Sequence, residues 1–188
     1  SIPEMCGNGL RCAVRRLAED GRWPAEGRGS VQTGAGPLRA WLEGPDVAIE
    51  LGAPDPGPDQ VLDLAAGRVE GSTVSMGNPH FVVFAGEASL PDLQTWGPQA
   101  ERHAAFPQRT NVEWVEVEGP ARLRVRVWER GVGETEACGT GACAVAVAAR
   151  LSGRIEADEA LILLPGGPLR VHWRGSAGDP VILKGPAR

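Results

Sequence analysis

The chain has 188 residues, 42% of them hydrophobic and 23% charged, with a net charge of −5. This is the balance of a globular protein with a real core. It shows no basic stripe and no run near the ~20 apolar residues of a membrane span, so neither nucleic acid nor a membrane is expected as a partner.

Lys184 is the only lysine, which leaves a Schiff-base mechanism with one poor candidate in a C-terminal strand. The four cysteines would allow a disulfide framework. The chain is larger than the usual stapled module, however, and nothing at its start reads as a secretory signal. Cys6/Cys12 and Cys138/Cys143 do not have zinc-ligand spacing, so no metal site is expected. Reduced thiols and a cytoplasmic setting follow as expectations.

In chain order, the first element is a helix from the Cys6-Gly7 pair through Cys12 to about Asp20. Leu10, Val14 and Leu17 lie on one face, and Gly21 is its C-terminal stop. Strands are expected at Leu38–Glu43, Val69–Met76, Phe81–Phe84 and Val112–Glu118. Arg122 to Trp128 alternates strictly, predicting one wet face and one buried face. Ala142–Leu151 predicts a helix that is apolar nearly all round, hence buried on every side, ending before Gly153. Leu161–Leu164 is a further strand.

An internal duplication organises these elements. Glu4-Met5-Cys6-Gly7-Asn8-Gly9 answers Glu136-Ala137-Cys138-Gly139-Thr140-Gly141. Downstream, Gly36-Pro37-Leu38-Arg39 answers Gly167-Pro168-Leu169-Arg170, and the stretch Asp46–Gly52 answers Asp179–Gly185. The expected class is α+β: two pseudo-symmetric halves, each a mostly antiparallel strand layer wrapped around a central helix. The first half is expected at 1–67, completed by strand 180–188, and the second at 68–179. The second half has a long segment before its Cys-Gly motif, so an equivalent segment upstream of Cys6 is expected to be missing from this chain.

Each Cys-Gly-x-Gly sets a thiol at the mouth of a helix, where unpaired N–H groups and the macrodipole favour negative charge. The expected consequences are a thiol acidified below its free value of ~8.5 and a place for a substrate carboxylate. Two such mouths face to face would put one sulfur on each side of a bound carbon. One thiolate could then remove a proton while the opposite thiol supplies another, inverting the centre without a cofactor. The same proximity would also suit a redox pair. Cys12 and Cys143, inside the helices, read as packing residues.

The chain resembles the diaminopimelate epimerase family. The resemblance rests on the segments Met5–Cys12, Met76–His80, Phe106–Val112 and Glu129–Gly141. It implies the fold described above and interconversion of LL- and meso-diaminopimelate, a step of lysine and peptidoglycan biosynthesis. It also implies Cys6 and Cys138 as the acid/base pair. Gly7, Asn8, Asn78, Asn111, Glu129, Arg130, Gly139 and Thr140 become substrate-binding positions, and His80 and Glu129 become groups that tune the thiols. A small amino-acid substrate is then the expected partner, and a homodimer is compatible. The weaker alternatives are a solvated pair for Glu129-Arg130 and a structural turn for Asn78 and His80. Two other functions remain open: a racemase or epimerase of the proline or hydroxyproline type, and a non-catalytic protein whose helix mouths hold a carboxylate.

Overall fold

The structure is a computed structural model that describes residues 7–34, 36–86, 92–176 and 178–187. Its elements in chain order are α1 (Gly7–Glu19), β1 (Arg28–Thr33), β2 (Gly36–Glu43), β3 (Asp46–Glu50), β4 (Asp55–Pro56), β5 (Gln60–Leu64), β6 (Gly67–Ser75) and β7 (Pro79–Phe84). Then follow α2 (Leu93–Glu101), β8 (Asn111–Gly119), β9 (Arg122–Glu129), β10 (Gly133–Thr135), α3 (Gly139–Leu151), β11 (Glu159–Leu164), β12 (Gly167–His172) and β13 (Ile182–Pro186).

The duplicated sequence makes duplicated structure. α1 and α3 each run 13 residues. Each stops at a left-handed glycine, Gly21 at φ 66° and Gly153 at φ 70°. Beyond the glycine, Arg22 N–H reaches back to Leu17 O at 2.8 Å and Arg154 N–H to Ala149 O at 2.9 Å, closing the same C-terminal motif. Each helix feeds an antiparallel meander, β1-β2-β3 after α1 and β11-β12-β13 after α3. The third strands of the two meanders then pair antiparallel with each other, Leu183 opposite Ile49 and Ile182 opposite Glu50. That ladder fuses the repeats into one sheet, ordered β1-β2-β3-β13-β12-β11-β9-β8-β7-β6-β4. Among the described strands, β7 with β8 and β9 with β11 pair parallel, and every other pairing is antiparallel.

The two helices use the sheet differently because their sequences differ. α3 is buried from Gly141 through Ala149. Its alanines and glycines let β6, β7, β8, β11, β12 and β13 close around it, making the main core with Val125, Val127, Ile162 and Leu183. α1 instead buries one stripe, with Leu10 and Val14 against Ala40, Val47 and Ile49. β9 keeps its alternation, Leu123, Val125 and Val127 pointing inward. Cys143 is fully buried, as expected of a packing residue, whereas Cys12 is only half-buried.

One helix lies where the sequence predicts none. α2 contains Gly97-Pro98, a pair that reads as a turn. Tertiary packing overrides it: Trp96 is fully buried, and a Cβ on Gly97 would stand 3.0 Å from the Trp128 ring. By crossing over between β7 and β8, α2 allows those two strands to run parallel. No described helix is long and apolar enough to cross a membrane.

Candidate active site

Cys138 occupies the N-cap of α3 in extended backbone, φ −129° and ψ 115°, and its Sγ accepts from Gly141 N–H at 3.4 Å. Gly141 is needed there. A Cβ would stand 2.6 Å from Glu113 Oε1 and 3.3 Å from the Cys138 sulfur. The second residue of the helix, Thr140, places its Oγ1 3.5 Å from the same sulfur.

A line of polar side chains leads away from that hydroxyl. Asn78 Nδ2 donates to Thr140 Oγ1 at 3.3 Å. Asn78 Oδ1 lies 3.1 Å from His80 Nε2, and His80 Nδ1 lies 2.7 Å from Glu113 Oε1. The His80 and Glu113 side chains are both fully buried. Strand register explains the meeting. His80 on β7 is the parallel partner of Asn111 on β8, and Glu113 two residues on presents the same face. Across the next ladder Glu113 faces Val127, so Glu129, two residues further along β9, shares that face too.

The other expected residues collect beside this line. Asn111 is tied at both ends of its amide: Nδ2 donates to Pro79 O at 3.0 Å, and Oδ1 accepts from Arg130 N–H at 2.9 Å. It therefore fastens the Asn78-Pro79-His80 turn to the Glu129-Arg130 corner. Glu129 Oε1 accepts from the Thr135 hydroxyl at 2.6 Å. Arg130 is exposed and donates from Nη1 to Gln108 O at 3.1 Å. Beneath this corner lies Glu101, 2% exposed, which accepts from Gly131 N–H and from the Trp128 indole, each at 2.9 Å.

The start of α1 closes the site from the other repeat. A Cβ on Gly139 would stand 3.6 Å from the Gly7 Cα and 3.0 Å from Leu183 Cδ2. The two helix N-termini therefore touch through bare glycine backbone, over a leucine of the joining strand β13. Asn8 is exposed in the first turn of α1, its Oδ1 accepting from Arg11 at 3.1 Å. Cys6, expected as the opposing thiol, lies outside the described residues.

Two expectations change. The thiol of Cys138 is not acidified by its helix. Burial pushes it up to about 12, and the Glu113 and Glu129 carboxylates push the same way. The Thr140 hydroxyl and the Gly141 N–H act against this and lose. A helix mouth acidifies a thiol that water can reach, and this one is sealed under the sheet. The second change is the importance of Glu113 and Glu101, which no motif in the sequence marks. Glu113 does carry a signal: it shares a face of β8 with Val115, a charge interrupting an apolar stripe. Glu101, in the unforeseen α2, carries none.

The diaminopimelate epimerase family pattern matches residues 72–188. The diaminopimelate epimerase of Acaryochloris marina is 42% identical over 205 residues, covering 100% of this chain and 72% of that protein. That of Desulforudis audaxviator is 44% identical over 204 residues, with the same coverage of 100% and 72%. Among solved structures, a probable proline racemase from Agrobacterium radiobacter superposes with a TM-score of 0.71 at 16% identity, over 97% of this chain and 65% of that one. A PhzF-family phenazine biosynthesis protein from Bacillus anthracis gives 0.69 at 14% identity, over 97% and 73%. At such identities the structures establish a shared fold, whereas the sequence relatives establish kinship. The chain belongs to the diaminopimelate epimerase family.

Proposed function

We propose that this chain interconverts LL- and meso-diaminopimelate, with Cys6 and Cys138 exchanging protons with opposite faces of the α-carbon and no cofactor required. The observation that carries the reading is the contact of the two helix starts at Gly7 and Gly139, one of them capped by Cys138. Residues that follow each cysteine directly in sequence meet there, which supports a reading in which a carbon bound at that junction exchanges protons with both thiols.

The roles follow from the geometry. Backbone N–H groups at the two helix starts hold the α-carboxylate and stabilise the charge that develops as the α-proton leaves. Cys138, held protonated by burial, is the resting proton donor, and Cys6 is the base in that direction. Asn78, Asn111, Glu129 and Arg130 then bind the substrate's polar groups, with Gly7, Asn8, Gly139 and Thr140 lining the reacting end. Glu129 can accept from an ammonium, and Arg130 can hold a carboxylate on two of its donors. His80 and Glu129 set the environment of the sulfur. In this reading the working unit is the pair of halves 1–67 with 180–188, and 68–179.

The test is incubation with LL-diaminopimelate in heavy water. Deuterium should enter at the α-carbon as the meso isomer forms, and Cys138→Ala and Cys6→Ala should each abolish the conversion. Binding without exchange would make the protein a carboxylate holder. Exchange only with proline or hydroxyproline would move it to another substrate.

A further inference from the structure

Glu113 is fully buried in the site, and its chemistry is not explained by packing. Its Oε2 is sealed from solvent with no hydrogen-bond partner among the described residues. A carboxylate kept in that condition costs stability, and an apolar side chain of similar volume would avoid the cost. The other oxygen, Oε1, makes the 2.7 Å contact with His80 Nδ1 and also lies against the first turn of α3 at Gly141.

The partners fix a direction along the line. Asn78 presents its Oδ1 to His80 Nε2 and its Nδ2 to Thr140. Nε2 must therefore donate, and one proton is shared between Nδ1 and Oε1. Thr140 Oγ1 already accepts from Asn78, which leaves its own hydrogen for the Cys138 sulfur at 3.5 Å. Every bond from His80 Nε2 onward then donates toward the sulfur, the orientation a thiolate needs at the moment it forms.

We propose that Glu113 is a positioning residue for Cys138: by engaging His80 Nδ1 it keeps Nε2 donating to Asn78, and so aims the Thr140 hydroxyl at the sulfur. The inference rests on the two-thiol reading of the site. Without an engaged Nδ1 the imidazole can carry its single proton on either nitrogen, the Asn78 amide loses the cue that orients it, and the hydroxyl is no longer aimed.

The test uses Glu113→Leu and Glu113→Gln in the full chain. Leu removes the contact but fills the space, so it should fold with equal or higher stability while kcat falls by about 30-fold and KM stays within about threefold. Gln can turn its amide to donate to Nδ1, which keeps Nε2 donating, so kcat should return to within about threefold of the parent. Thr140→Val cuts the line at its end, and adding Glu113→Leu to it should cost nothing more. Should Glu113→Leu not fold, the apolar pair His80→Phe with Glu113→Leu takes its place in the same cycle. A purely structural Glu113 would give kcat within twofold of the parent in the Leu variant, losses equal in Leu and Gln, or additive losses with Thr140→Val; any of these overturns the proposal. Cys138→Ala, run alongside, separates the two ideas. If that variant turns over, the two-thiol reading fails; if it is dead while Glu113→Leu is active, only the role of Glu113 fails.

Discussion

Gly7 and Gly139 meet backbone to backbone, the Cα of one 3.6 Å from where a Cβ would stand on the other. Gly139→Ala would also press within 3.0 Å of Leu183 Cδ2, at the far end of a flexible side chain. The variant should fold, lose about 1 kcal/mol, and lose kcat by 10-fold or more, on the order of what small misplacements of reacting groups cost. Trimming the leucine as well, in Gly139→Ala with Leu183→Val, should return the stability but only part of the rate. Thermal unfolding and kcat of the three proteins check this.

The turn that carries Arg130 hangs on Glu101. Replacing Glu101 by Ala leaves the Trp128 indole and the Gly131 N–H without their acceptor. A stability loss of about 2 kcal/mol is expected for these donors. Because Arg130 is read as a binding residue, KM should rise about tenfold while kcat changes little. A fall in kcat at constant KM would place this corner in the chemistry instead.

The buried thiol of Cys138 makes stability depend on alkaline pH. Its folded value, about 12, lies above the 9.0 of an unperturbed thiol. A raised value means that the fold holds a proton the unfolded chain releases. The contribution is complete below pH 9 and is lost as pH climbs through 12. The sequence contains no tyrosine to obscure this window. Cys138→Ser keeps an N-cap acceptor and should flatten the decline by up to about 1.4 kcal/mol per pH unit in urea titrations. Cys143, whose thiol burial also raises, supplies a remaining slope in the variant.

Alkylation gives the same quantity at the site itself. Peptide mapping after iodoacetamide should show Cys138 nearly inert at pH 7, with a rate still increasing above pH 10. A rate that levels off near pH 8 would mean that the helix mouth, not burial, governs this sulfur.

α2 packs tightly on Trp128 at Gly97. Gly97→Ala would bring a methyl group to 3.0 Å from the Trp128 ring, which lies against α2 and donates its indole N–H to the Glu101 carboxylate. A loss of about 1–3 kcal/mol is expected by overpacking, with KM rising as the Arg130 corner shifts. Denaturant unfolding and substrate titration would register both.

The sequence by itself determined what is local or repeated. The Cys-Gly-x-Gly pairs announced two helix mouths, Gly21 and Gly153 their stops, and the matching stretches Asp46–Gly52 and Asp179–Gly185 two equivalent strands. These follow from backbone rules acting over a few residues, so duplication of the letters became duplication of the structure. Of the residues that the motifs single out, Asn78, His80 and Thr140 form one line to Cys138, and Asn111 ties the Asn78 turn to the Arg130 corner. Only the tertiary structure decided how the parts act on one another. Whether a thiol at a helix mouth is acidified depends on how much water reaches it, and that was set when six strands closed over α3. Gly97-Pro98 sits within a helix because Trp96 and Trp128 needed a close-packed neighbour, which no local propensity records. Glu113 looks like any acidic residue on an alternating strand. It acquires its role from β7 beside it and α3 above it, because the electrostatics of a carboxylate are fixed by what surrounds it rather than by its neighbours in the chain.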